Sequence, residues 1–235
     1  MSTLNPLFCN TEGQFLYWAG APDPYGEHIE VVFTYASSPQ DAQTHFSSHY
    51  QDIEDVSLMT SEHLTWGRVV ASAAQWSARM GDDQVLAVCL NAYKTEGYQP
   101  PAVFLLNAAE KGYVACFDIL RPHFTFAFMG DDGRNELAQC IGRGGCVEIL
   151  SRVARYLSPA HFEQALEHAS IAQQEQLVEV LIEQCAAHNV LARMQITHTE
   201  DNYRVLEHCL NTRQNTLIRT TLADTTSTTR IRRKI

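Results

Sequence analysis

A chain of 235 residues, 45% hydrophobic and 19% charged, has the composition of a globular protein with a sizeable core, which excludes wholesale disorder. A formal net charge of −10 excludes a general nucleic-acid binder, because such proteins need a basic face to displace counterions from phosphate. The seven cysteines are odd in number, lack CxxC spacing and lie mostly in apolar runs, the usage of buried reduced thiols rather than of a disulfide framework.

Taken in chain order, the first 130 residues read as mixed α and β. Phe15–Trp18 and Ile29–Tyr35 are rich in aromatic and β-branched residues and predict strands. Ser38 followed by Pro39 predicts a capped helix start. A second helix is expected over Ser61–Met80, where Leu64, Val69, Ala73, Trp76 and Met80 share one face. Tyr17 and Trp18, near Pro22-Asp23-Pro24-Tyr25-Gly26, read as half-buried core aromatics.

After Gly81-Asp82-Asp83 the apolar residues run continuously over Val85–Leu90, short enough for a buried strand. Ala102–Asn107, Tyr113–Leu120 and Phe124–Met129 follow, joined by polar turns, and the run as a whole predicts an antiparallel meander. The breaker cluster Gly130-Asp131-Asp132-Gly133 ends it.

Beyond that point the spacing is helical. The first helix pair covers Arg134–Gly142 and Cys146–Leu157, and Ser158-Pro159 opens the second as cap and first-turn proline. Phe162, Ala165, Leu166 and Ala169 face Leu177, Val180, Leu181 and Cys185 within it. A third pair is expected from Asp201–Leu210 and Thr216–Leu222. The fold class is therefore α+β: a mixed α+β domain over 1–130 with an antiparallel meander, a helix-pair domain over 134–223, and a flexible basic tail over 224–235.

Gly145-Cys146-Val147-Glu148-Ile149-Leu150 resembles the run that opens the second helix of an ankyrin repeat, and Cys209–Ile218 has the length of the same junction. None of the three units carries the Thr-Pro-Leu-His opening of that family. The corresponding apolar positions Leu150, Val178 and Ile218 are spaced 28 and then 40 residues, against a family period of about 33. The resemblance implies a stacked array of helix pairs that binds other proteins; the alternative reading of the same spacing is an ordinary helical bundle that packs on the meander.

Two functions are expected from these residues. One is a protein-binding module, of the kind a bacterium delivers as an effector into a host cytosol. It would use the turn side of the helix pairs around Arg143, Gln173, Gln174, Arg213 and Gln214. The alternative is a cysteine-dependent hydrolase or transferase acting on a protein, with Cys9 as nucleophile, His123 as base and Asp131 orienting it. No glycine-rich approach or preceding glutamine accompanies Cys9.

No metal site and no cofactor are expected. His45 and His49 are four apart and His161 and His168 seven apart, but neither pair has a third ligand in its segment. The glycine-rich turn Gly142–Gly145 follows a helix rather than a strand and lacks a P-loop lysine. The expected partner is another protein, with no nucleic acid and no membrane insertion. Met1–Pro6 shows no Sec signal, and the expected location is cytoplasmic or a host cytosol.

Overall fold

The computed structural model describes residues 8–22, 29–50, 53, 56–60, 63, 67–126 and 129–232, and the statements below concern these. Two compact units divide the chain. One is built from residues up to Ala108 together with Ala115–Phe124; the other takes Ala109–Val114 and everything from Thr125 onward.

In the first unit, strand β1 (Phe15–Pro22) pairs antiparallel with β2 (Ile29–Ala36), from Phe15 opposite Ala36 to Pro22 opposite Ile29. The short β3 (Ser57–Leu58) lies on the other side of β1. Period-two alternation puts Tyr17, Ala19 and Ala21 on one face with Val32 and Ala36. Helix α1 (Pro39–His49) closes that face with Ala42 and Phe46. It starts as expected: Asp41 N–H donates to Ser38 Oγ at 3.1 Å, with Pro39 in the first turn. The loop with Pro24 and Tyr25 lies outside the described residues.

The α+β class and the antiparallel sheet of the N-terminal half are present, but the sheet ends at β3. The four apolar runs expected to form the meander do not form strands. Val85–Leu90 lies in α3 (Asp83–Thr95), Ala102–Asn107 in α4 (Ala102–Glu110), and Tyr113–Leu120 spans α5 (Val114–Leu120). Phe124 to Phe126 is irregular. A six-residue apolar run fits a buried helix as well as a buried strand, and local chemistry decides. Asp82 accepts the Val85 N–H at 3.0 Å and caps α3, while α2 (Gly67–Met80) is closed by Gly81 at φ +80°.

The second unit contains α6 (Asp131–Gly144), α7 (Val147–Val153), α8 (Pro159–Ile171), α9 (Glu175–Leu181), α10 (Ala187–Thr197) and α11 (Glu200–Arg232). The third expected pair is corrected here, because α11 runs unbroken through Asn211–Asn215. That segment is polar but holds no glycine or proline to break a helix, and the backbone stays helical into the segment expected as a tail.

Four helix pairs share one burial code around a left-handed residue. The pairs are α2/α3, α4/α5, α6/α7 and α8/α9, and the left-handed residues are Gly81, Gly112, Gly145 and Gln173. Counting from each, the buried positions are −8, −7, −4 and −3 in the first helix and +4, +5 and +8 in the second. They are Ala73, Ala74, Ser77, Ala78, Val85, Leu86 and Cys89 in α2/α3. In α4/α5 they are Phe104, Leu105, Ala108, Ala109, Cys116, Phe117 and Leu120. In α6/α7 they are Leu137, Ala138, Ile141, Gly142, Ile149, Leu150 and Val153. In α8/α9 they are Ala165, Leu166, Ala169, Ser170, Leu177, Val178 and Leu181.

Within the second unit the repeat is metrically regular. Helices α6, α8 and α10 begin at Asp131, Pro159 and Ala187, in steps of 28 residues, and α7 and α9 begin at Val147 and Glu175, the same step apart. The next counterpart of Leu150 and Val178 is therefore buried Leu206, not exposed Ile218. Close approach enforces the stacking of α6 on α8. A Cβ on Gly142 would lie 2.5 Å from the Ala165 carbonyl oxygen and 2.8 Å from His168 Cβ, so only glycine fits.

Candidate functional site

The hairpin turns of the second unit bring together three of the five residues expected to bind a partner, and the contacts they make are internal. Arg143 donates through Nε to Glu110 Oε1 at 2.7 Å, tying the turn after α4 to the end of α6. Gln174 donates to the Arg143 carbonyl at 3.1 Å, its side chain lying across Gly145. Gln173 holds a left-handed backbone, φ +58°, and donates to Ser170 O at 3.0 Å and Asp201 O at 2.7 Å. These side chains staple one turn to the next.

Arg213 and Gln214 lie elsewhere. Arg213 lies twelve positions along α11 from Asp201, about 18 Å at helical rise. Arg213 pairs with Glu183 at 3.3 Å and lines an open groove of about 310 Å³ with Ile182, Cys185, His188 and Leu210. A second hollow of about 200 Å³, lined by Glu179, Glu183, Cys209 and Thr212, shares Ile182 and Arg213 with the first. The α9–α10 connection and α11 thus bound two neighbouring hollows that share Ile182 and Arg213 in their lining.

The catalytic alternative finds its residues in separate settings. Cys9 is exposed, bridges Phe15 in the sheet and donates weakly to the Asn10 carbonyl at 3.6 Å. His123 ends a 3-10 turn after α5. Asp131 opens α6 in the other unit, where its carboxylate takes His161 Nε2 at 3.1 Å and Arg134 at 3.6 Å. No contact among the described residues joins Cys9 to His123.

Asp131, His161 and Ser158 do form a chain in the order of a hydrolase triad, and its hydrogen bonds show why it acts as a helix cap. The Ser158 main-chain N–H donates to His161 Nδ1 at 2.9 Å, so that nitrogen holds no proton and the tautomer carries it on Nε2, facing Asp131. Ser158 Oγ, also 2.9 Å from Nδ1, faces a lone pair already engaged. His161, 2% exposed, closes a capping box on α8. Thr60 and His63 repeat the contact at 3.0 Å.

Electrostatics concentrate on the α8–α10 side. Arg193 bonds Glu167 at 2.7 Å and pairs with Glu163 at 3.6 Å, and His198 reaches Glu167 at 3.2 Å. Burial pushes the Glu167 carboxyl up, but the bonds from Arg193 and His198 outweigh it and hold the group below its ordinary value. Burial, then the nearby Arg143, lowers His168.

Among the described residues, three side chains have ligand atoms close enough to share one metal ion: Glu175 and Glu179 on α9 and Cys209 on α11, all within 4.8 Å of one another. Sequence reading passed them over because the thiol lies 30 positions beyond the second acid, with α10 between their helices. It also passed over Leu105-Leu106-Asn107-Ala108-Ala109-Glu110-Lys111-Gly112, whose spacing of leucine, paired alanines and turn glycine was the signal for the shared burial code. No helix among the described residues is long and apolar enough to cross a membrane. Comparison with protein-family models, curated proteins and solved structures finds no match for this chain.

Proposed function

We propose that this chain is a protein-binding module, an ankyrin-like array of helix pairs whose partner surface is the pair of hollows beside α11. The observation that carries the reading is the seven-position burial code that, within the second unit, α6/α7 and α8/α9 repeat around Gly145 and Gln173 at a 28-residue step. Helix pairs that bury the same positions against their neighbours build long surfaces suited to extended partners. Ile182 and Leu210 supply apolar contact there, and Arg213 is of a residue type enriched where proteins bind proteins. Arg143, Gln173 and Gln174 serve the array as internal staples.

The test begins with affinity capture on the full-length chain and continues with calorimetry on the purified partner. Arg213→Glu is expected to weaken binding by about tenfold or more with little change in thermal stability. Gln173→Ala is expected to lower stability and leave the affinity of the folded protein intact. The opposite pattern would move the site to the turn edge. Failure to obtain any partner with a measurable Kd would count against the reading as a whole.

A further inference from the structure

Cys209 occupies a core slot, the +8 position of the last helix pair, where the equivalent residues of the two preceding pairs are Val153 and Leu181. It is 4% exposed, and among the described residues its Sγ has no hydrogen-bond partner on any other residue. The sulfur faces the carboxylates of Glu175 and Glu179, which sit four apart and so rise from the same face of α9. A second, solvent-open feature meets this group: the hollow of about 200 Å³ is lined by both Glu179 and Cys209. A buried thiol bonded to no other residue, with two carboxylates within 4.8 Å and an access route, is a donor set that can take a cation.

We propose that Glu175, Glu179 and Cys209 bind a divalent transition-metal ion, zinc foremost, with water from the hollow as fourth ligand. One thiolate and two carboxylates suit zinc, a borderline-soft ion that accepts sulfur and oxygen in a tetrahedron. Zinc–sulfur and zinc–oxygen bonds of about 2.3 and 2.0 Å place neighbouring donors roughly 3.5 Å apart, so a small closure of separations under 4.8 Å suffices. On binding, the Cys209 S–H bond breaks, its proton passes to solvent, and the sulfur lone pair forms the S–Zn bond. The ion joins α9 to α11 in the hollow that Arg213 also lines. The proposal does not depend on the protein-binding reading.

Cobalt(II), titrated into the metal-free full-length chain, is the probe, because a cobalt–thiolate bond gives a near-ultraviolet charge-transfer band that carboxylates alone do not. One equivalent of cobalt is expected to develop the band, and zinc to bleach it by displacement. Cys209→Ser is expected to abolish it and Cys185→Ser to keep it. Glu175→Gln and Glu179→Gln, both at exposed positions, are each expected to keep the wild-type melting temperature and to weaken binding about tenfold or more. Absence of the band in the wild-type chain, its persistence in Cys209→Ser, or unchanged affinity in both glutamine variants would overturn the site.

Discussion

Gln173 and Asp201 occupy equivalent places in successive helix pairs, 28 residues apart, and are joined by a 2.7 Å hydrogen bond from the Gln173 side chain to the Asp201 carbonyl. Gln173 is also the one non-glycine among the described residues with positive φ, so the bond and a strained backbone coincide. Gln173→Ala loses the bond and keeps the strain; Gln173→Gly loses the bond and releases it. Urea denaturation should place the alanine variant about 1 kcal/mol below the glycine variant. Equal stabilities would show that the left-handed backbone costs nothing here.

Gly142 sets the separation of α6 from α8. Gly142→Ala drives a methyl group into the Ala165 carbonyl and the Ala169 main chain, neither of which can rotate away. The expected loss is about 1–3 kcal/mol, from overpacking. Gly67→Ala, where an added Cβ meets nothing within 4 Å, is the matched control and should be neutral or mildly stabilising. Chemical denaturation of the two variants decides it, and equal effects would remove the close-approach account.

Legibility in the sequence followed the range of the signal. Ser38-Pro39 and Ser158-Pro159 mark real helix starts because a cap is satisfied within one turn. Strands β1 and β2 were readable from their aromatic and β-branched content. Val85–Leu90 and Tyr113–Leu120 differ from the expected strands because a short apolar run carries no period, and for the first of them the Asp82 cap decides for helix. The code that unites them becomes visible only when turns at Gly81, Gly112, Gly145 and Gln173 are overlaid, and the last is not a glycine. Ile218 was matched to Val178 in place of Leu206 for the same reason: the third turn holds neither glycine nor left-handed backbone to set the register. The binding candidates at the turns were found by position, but their internal hydrogen bonds, made 28 to 33 residues away, lie beyond any local pattern.

Acid should weaken the fold in two stages. His168 is held below its ordinary 6.5, by burial first and then by Arg143, so the unfolded chain takes up the proton before the folded one does. Stability therefore falls as pH drops through 6.5 and levels off below the folded value. Glu167 lies below its ordinary 4.5, so its contribution is intact above that pH and is lost as pH falls through the lowered value. Melting temperatures across this range should show both declines, and His168→Gln should remove only the first. A variant curve parallel to wild type near pH 6 would rule His168 out as its source.

The cysteines should divide sharply in reactivity. Burial, then nearby Asp82 or Asp83, pushes Cys89 and Cys116 up to about 12, and burial holds Cys140 and Cys185 at about 11. Cys9 alone is exposed among the seven. Brief iodoacetamide treatment of the native chain, read by peptide mass spectrometry, should label Cys9 first and leave Cys89 and Cys116 untouched until denaturant is added. Labelling of Cys89 ahead of Cys9 would contradict the packing of α3.

The regular step between α6, α8 and α10 also bears on how such a chain can change over generations. Residues 146–173 run from one turn to its equivalent in the next pair, so a second copy inserted after Gln173 would begin and end in backbone already suited to it. Each copy brings its own four-position and three-position apolar faces, and no strand register has to be renegotiated. Gene slippage in whole units of this length would lengthen the molecule while preserving both ends. A chain carrying that duplication should fold with proportionately more helix by circular dichroism, which makes this half of the molecule extensible material rather than a closed shape.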